Sequence, residues 1–216
     1  MSEYAIAPLY DVLLWPFVHS LRLKVLRHCK KMRYSSILDV CCGTGNQLKI
    51  LKKHGFNVTG VDLNPDMLQV SRQGRYVPDC RFEDASRMSF PSGSFDAAMT
   101  TFALHEKENQ VAQAIIEEMV RVVRPGGRII LIDFHFTSRS SRISKGVIKL
   151  IEWNAGGDHY RHFLEFIRSG GIIPLIEGFP LGIESVEYAG MGSVGIFVFG
   201  NQIPFQDHLT DNSLNT

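Results

Sequence analysis

ILDVCCGTGNQ, residues 37–47, reads as a buried strand that breaks into a glycine turn and opens a helix. Ile37, Leu38, Val40, Cys41 and Cys42 form a short apolar run around one carboxylate, Asp39, and Gly43-Thr44-Gly45 ends it. Glycine permits the sharp turn and lets a ligand come close to the backbone. Leu48, Ile50 and Leu51 then alternate with Lys49, Lys52 and Lys53 in a short helix that stops at Gly55, where a missing Cβ suits a left-handed position. The helix N-terminus faces the turn, so a nucleotide-like ligand is expected there. Asp39, set inside an apolar run, must pair with that ligand or with backbone amides.

Strand, glycine turn and helix are shared by dinucleotide-binding and other nucleoside-binding folds. In the dinucleotide fingerprint a third glycine at position 48 would bring helix and strand together beside a pyrophosphate, but Leu48 stands there. The second strand, Phe56 to Asp62, ends in a carboxylate roughly 20 residues past the turn, placed to accept both hydroxyls of a ribose. The ligand expected is therefore a nucleoside without a pyrophosphate.

Asn64 followed by Pro65 is an N-cap with proline in the first helical turn. Asp62 and Leu63 then lie on the loop at the carboxyl end of the second strand, where open α/β sheets bind ligands. Asp84, after the stretch Cys80 to Glu83, is placed to accept from an adenine amino group, with the backbone of Ala85 at the ring edge. Turn initiation is the alternative role for Asp84. Phe95 to Thr101 is a further strand whose carboxyl end sets Thr101, Phe102 and His105 at the mouth of the site. His105 there either contacts the reacting groups or pairs with Glu106 or Glu108 at the opening of an acidic helix.

These segments together resemble the class I S-adenosylmethionine-dependent methyltransferases from Tyr4 to Gly200. ILDVCCGTGNQ is similar to that family's acidic and glycine-rich signature, with Asp39 at the acidic position and Asn46 where the last glycine often sits. VDLNPDML, residues 61–68, resembles the second signature. CRFEDASRMSFPSGSFDAAMTTFALHE, residues 80–106, resembles the adenine-binding and fourth-strand region, and MVRVVRPGGRIILIDF, residues 119–134, the following helix and fifth strand. YAIAPLYD, residues 4–11, looks like the start of the branch holding the ubiquinone and menaquinone biosynthesis methyltransferases and small bacterial phospholipid N-methyltransferases.

The resemblance implies an α/β fold: a Rossmann-like seven-stranded, mainly parallel sheet with the last strand antiparallel and helices on both faces. It implies S-adenosyl-L-methionine as cofactor, bound by Asp39, Cys41, Gly43, Thr44, Gly45, Asp62, Leu63, Met67, Asp84, Ala85 and Thr101, with His105 the candidate catalytic group. The acceptor is expected to be small and lipophilic or a lipid headgroup: a quinone precursor, a phenol or an aminophospholipid. A sulfonium-bound methyl is already activated, so transfer depends chiefly on an in-line nucleophile. For a phenol or enol-like carbon a base such as His105 would remove a proton, whereas an amine needs only desolvation of its neutral form.

Composition agrees with one globular domain: 216 residues, 44% hydrophobic, formal net charge +1. Residues 1–200 are expected to form that domain and residues 201–216 a loosely ordered polar tail. No apolar stretch approaches the ~18 residues of a membrane span, and MSEYAIAPLYD lacks the marks of a secretory signal, so a cytoplasmic location is expected. Cys29, Cys41, Cys42 and Cys80 show no CxxC or Cys/His ligand spacing, and no metal is expected. The cationic residues form no aromatic-interleaved stripe, which argues against nucleic acid.

Acceptor choice must lie elsewhere. Residues 1–33 combine an aromatic stretch, Tyr4 to Val18, with a basic helix from Leu21 to Arg33; this is either a lid or peripheral membrane contact, or an ordinary packed helix with a solvated basic face. Residues 135–157 read as a substrate-covering insertion, with helix-compatible apolar residues at Ile143, Val147, Ile148, Leu150 and Ile151. Asp158 is expected to cap a helix running from His159 to Arg168, whose first turn carries His159, Tyr160 and Arg161, either reaching the site or packing. Two other functions share these motifs: an S-adenosylmethionine-binding scaffold without turnover, and an NAD-dependent oxidoreductase, against which Leu48 counts.

Overall fold

The structure, a computed structural model, describes the backbone of residues 7–204 and the side chains of residues 17–204. Its strands are β1 (Ser36–Val40), β2 (Asn57–Asp62), β3 (Asp79–Phe82), β4 (Phe95–Thr101), β5 (Val123–Phe134), β6 (Leu181–Ala189) and β7 (Val194–Asn201). They join in one sheet in the order β3-β2-β1-β4-β5-β7-β6, with β7 antiparallel to both its neighbours. β1 pairs in parallel with β2 and with β4, and Asp39 lies opposite Gly60 on one side and Met99 on the other. The strand order reverses at β1 and β4, which opens a crevice at their carboxyl ends.

Alternation along the strands feeds two core layers. Ile129 and Leu131 of β5 face the helix α4 (Asn109–Val122), whose Ala112, Ile115, Ile116, Met119 and Val120 repeat at helical spacing. Ile130 and Ile132 face the opposite layer, formed by α1 (Ala7–Met32), α2 (Asn46–Lys53) and α3 (Pro65–Ser71). The helix α6 (Gly157–Ser169) spans both layers, giving Phe163 to one and Phe166 to the other. β7 is buried along its whole length because it lies between two strands, and its run VGIFVFGN has the continuous apolar character this demands.

Several expectations change here. Leu21, Val25, Leu26 and Cys29 of α1 are buried in the core and Lys24 pairs with Glu187 at 3.2 Å, so the basic segment is a packed helix with a charged outer face. Of the aromatic stretch Tyr4 to Val18 expected to form a lid, the side chains of residues 4–16 lie outside the described residues, as do residues 205–216 of the expected tail, while Phe17 packs against the core beside Gly190. Asn201 does not belong to a tail: it is 2% exposed, and its side-chain amide donates to the carbonyls of Val120 and Val123. Asp158 is not a cap, since α6 begins at Gly157 after Gly156. His105 precedes α4 in a loop and opens no helix.

Within the expected insertion, α5 (Arg142–Asn154) follows a loop tied to the β6–β7 turn, where the Ser144 hydroxyl donates to the Gly190 carbonyl at 2.9 Å. Its Ile143, Val147, Leu150 and Trp153 are 74%, 49%, 64% and 63% exposed, so this apolar stripe faces solvent.

Candidate functional site

The glycine turn is held in a left-handed backbone, with φ of 58° at Cys41, 52° at Gly43 and 66° at Gly45. At Cys41, a residue with a Cβ, that geometry costs ~1–2 kcal/mol. The two glycines serve different ends. A Cβ on Gly43 would meet nothing within 4 Å, so this backbone is open to a ligand. A Cβ on Gly45 would meet Ser71, Pro78 and Cys80 at 3.1–3.4 Å, so this glycine also permits close packing of the turn against α3 and β3. The third glycine missing at Leu48 reappears across the helix–strand contact: a Cβ on Gly60 would lie 2.6 Å from both Leu48 Cδ1 and Cys42 Sγ. The large side chain sits on the helix and the gap on β2.

Asp62 ties the turn to the second loop. Its Oδ2 accepts the Gly43 amide at 2.7 Å and its Oδ1 the Asn64 amide at 2.8 Å. Asn64 in turn caps α3, accepting the amides of Asp66 and Met67. Each carboxylate oxygen keeps further acceptor capacity. Asp62 lines a cleft of about 900 Å³ with Gly43, Leu63, Met67, Asp84 and Ala85. Asp84 Oδ1 accepts the Ser86 amide and hydroxyl, both at 2.8 Å, and those bonds hold its carboxyl below the usual carboxylate range. Asp84 thus shapes its own turn as well as facing the cleft.

Asp39, Thr44 and Thr101 are not in that cleft. They line an adjoining cavity of about 120 Å³ that shares Cys41 and Phe102 with it and is closed by Arg22 of α1. Asp39 is 4% exposed; burial above all, then Cys80 and Asp62, push its carboxyl up to about 8 against the opposing pull of Arg22. A small cation entering this cavity would meet a buried carboxyl group and favour its ionised form. The two spaces suit the two ends of S-adenosyl-L-methionine: acceptors and open backbone for a nucleoside in the larger, Asp39 for an ammonium group in the smaller.

His105 is 3% exposed. Its Nδ1 lies 2.6 Å from Asp133 Oδ1 and its Nε2 3.4 Å from Glu152 Oε2. Burial alone would lower its pKa, but Asp133 and Glu152 together raise it to about 10, and the same contacts, with His159, bring Glu152 down to about 2. The expectation of His105 as a free base is therefore corrected: its ring is buried with a carboxylate facing each nitrogen, Asp133 at Nδ1 and Glu152 at Nε2. The Asp133 carboxylate also accepts the amides of Leu104, His105 and Phe134 at 3.0, 3.2 and 2.7 Å. Glu152 reaches His159 Nε2 at 2.5 Å, and His159 Nδ1 stands 3.6 Å from Glu106, a residue of the cleft wall. Sequence spacing did not reveal Asp133, Glu152 or His159 as partners of His105, although the carboxylate of Asp133 in the apolar strand IILIDF was a signal of the same kind as Asp39. The expectation of no metal-binding set rested on cysteine spacing, and does not cover His105, Glu152 and His159, whose donor atoms all lie within 4.8 Å of one another.

A family model described as a methyltransferase domain matches residues 38–131, from β1 to β5. The chain is 37% identical over 107 residues to a 2-methyl-6-phytyl-1,4-hydroquinone methyltransferase of Synechocystis sp., a match covering 47% of this chain and 32% of that protein. It is 31% identical over 172 residues to the ubiquinone/menaquinone biosynthesis C-methyltransferase UbiE of Cupriavidus necator, covering 70% of this chain and 68% of that one. Among solved structures, magnesium protoporphyrin IX methyltransferase from Synechocystis, with bound SAH, shares the fold with a TM-score of 0.61 at 17% identity, over 84% of this chain and 82% of the other.

Proposed function

The chain belongs to the class I S-adenosylmethionine-dependent methyltransferases, in the branch of the ubiquinone and menaquinone C-methyltransferases, and on that premise we propose that it methylates a lipophilic hydroquinone-type acceptor. The observation that carries this reading is Asp62, held by two backbone amides at the end of β2 with acceptor capacity left over at the 900 Å³ cleft. When bound, S-adenosyl-L-methionine supplies a methyl activated by its sulfonium charge. Asp62 would receive the ribose hydroxyls, Asp84 and the Ala85 backbone the adenine edge, and Asp39 in the adjoining cavity the ammonium end. Phe102 lines the cleft and is backed in the core by Phe134 and Phe163, at successive ring-centroid separations of 5.2 and 5.5 Å, which presents one firmly packed aromatic ring to a flat acceptor. The hydroquinone relative in Synechocystis and the UbiE relative support that acceptor class.

Such an acceptor resides in lipid, and α5 offers a surface for reaching it. Its outward Ile143, Val147, Leu150 and Trp153 are flanked by exposed Arg142 and Lys149, while its one acidic residue, Glu152, is buried. Apolar and cationic side chains on one helix face favour an anionic membrane surface. Co-flotation with anionic vesicles is expected to fall in Leu150→Glu with no loss of fold; equal flotation of both proteins rules this surface out.

The acceptor is tested by incubating the full chain with methyl-labelled S-adenosyl-L-methionine and prenylated hydroquinones, catechols or aminophospholipids. Label is expected in the hydroquinone. Transfer only to an aminophospholipid overturns the acceptor, and cofactor binding without transfer to anything overturns the enzyme in favour of a scaffold.

A further inference from the structure

Four segments deliver titratable side chains to one buried point beside the cofactor cleft: His105 and Glu106 from the β4–α4 loop, Asp133 from β5, Glu152 from α5 and His159 from α6. Asp133 fixes the first imidazole. With the amides of Leu104, His105 and Phe134 already donating to it, its 2.6 Å contact with Nδ1 makes that nitrogen the one that carries hydrogen in a neutral ring, and the Nε2 lone pair then points toward Glu152. Glu106 stands 3.6 Å from His159 Nδ1, and His159 Nε2 meets Glu152 at 2.5 Å. Two imidazole nitrogens and one carboxylate oxygen thus converge, their atoms within 4.8 Å of one another, and a metal ion there would displace the proton that His159 Nε2 now shares with Glu152.

We propose that His105, Glu152 and His159 bind a first-row divalent transition metal ion, with Asp133 and Glu106 as the carboxylates that orient the two imidazoles. A histidine ligand that passes its other ring nitrogen to a carboxylate is the recurrent second layer of protein metal sites; here His105 has Asp133 at 2.6 Å, and Glu106 stands 3.6 Å from the corresponding nitrogen of His159. The His105 Nε2 to Glu152 Oε2 separation of 3.4 Å matches the ~3.3 Å edge expected for tetrahedral bonds of about 2.0–2.1 Å. His159, half-exposed at the start of α6 behind Gly156, would have to withdraw by about 1 Å from its present contact with Glu152 to complete the set. The donor set of two imidazoles and one carboxylate, without thiolate, suits zinc, cobalt or ferrous iron over magnesium or cuprous copper. Three protein ligands leave a coordination position open, as in catalytic zinc sites, and an acceptor hydroxyl placed there would be acidified.

The proposal does not depend on methyl transfer, and its test uses neither cofactor nor acceptor. The full chain is stripped with a chelator, dialysed, and titrated with cobalt(II) while visible absorption and bound metal are recorded. One equivalent of cobalt with tetrahedral-type bands, displaced by one equivalent of zinc, is the expected result. Glu152→Gln and His159→Asn should abolish it, Asp133→Asn should weaken it ~10–100-fold, and His54→Gln, remote on α2, should leave it intact. Because a change at the buried Glu152 or Asp133 can disturb folding, the half-exposed His159→Asn variant, checked by circular dichroism, decides. No stoichiometric cobalt or zinc in the folded wild-type chain, or equal binding by folded His159→Asn, overturns the site and leaves a purely hydrogen-bonded cluster. S-adenosylhomocysteine calorimetry on the metal-free protein separates that outcome from a failure of the cofactor site.

Discussion

Asp62 and Asp133 both stand at the carboxyl ends of sheet strands and both accept backbone amides, yet they organise opposite kinds of site. Asp62 gathers amides from its own neighbourhood, Asn64 two residues on and Gly43 from the preceding βα unit, and keeps one side at an open cleft. Asp133 gathers the amides of Leu104 and His105 from another loop and is 1% exposed, so every acceptor position is spent inside the protein. A carboxylate serving a ligand is left with capacity toward the cleft, whereas one serving the fold is saturated.

The sharpest way to break this contrast is Asp133→Asn. Losing the charge opposite buried His105 should cost ~3–5 kcal/mol of stability in urea unfolding, while the affinity of the folded fraction for S-adenosylhomocysteine changes little. Asp62→Ala should do the reverse. Removing an ionised acceptor of two amides and a ribose should weaken S-adenosylhomocysteine by ~100-fold or more in calorimetry, at ~1.5–3 kcal/mol per charged hydrogen bond, with a smaller drop in melting temperature. Comparable losses of both properties in both variants would erase the distinction. Gly60→Ala tests the exchange of packing between α2 and β2: a Cβ 2.6 Å from Leu48 Cδ1 should cost ~1–3 kcal/mol, and adding Leu48→Ala should recover part of it.

A further effect, read through pH, concerns Asp39. Its carboxyl, raised from 3.8 to about 8 in the folded protein, holds its proton more tightly than in the unfolded chain. The stability this lends is complete below pH ~4 and is lost as pH rises through about 8. Unfolding free energy of the cofactor-free protein should therefore decline across that window, and Asp39→Asn should flatten the decline. An unchanged slope would mean that Asp39 is ionised beside Arg22.

The same contrast explains what could be read from the chain. The turn at Gly43, the cap at Asn64 and the carboxylate at Asp62 are encoded by neighbours within a few residues, so spacing alone located them; the seven-stranded, mainly parallel sheet with its last strand reversed came from family resemblance and holds. The division of labour between Gly43 and Gly45 was hidden, because it depends on Ser71, Pro78 and Cys80 across the packing interface. The cluster around His105 was hidden for the same reason: Asp133 is 28 residues away in sequence and Glu152 and His159 lie beyond β5, so no local pattern joins them. The outward stripe of α5 carries a helical period that cannot say which way it faces.

Calorimetry with S-adenosylhomocysteine on the full chain, Asp62→Ala and His159→Asn, with NAD as competitor, tests the assignment most directly. One-to-one binding to the wild-type chain and to His159→Asn, loss in Asp62→Ala, and no displacement by NAD are expected. Displacement by NAD, or undiminished binding by folded Asp62→Ala, would contradict a nucleoside site built on Asp62.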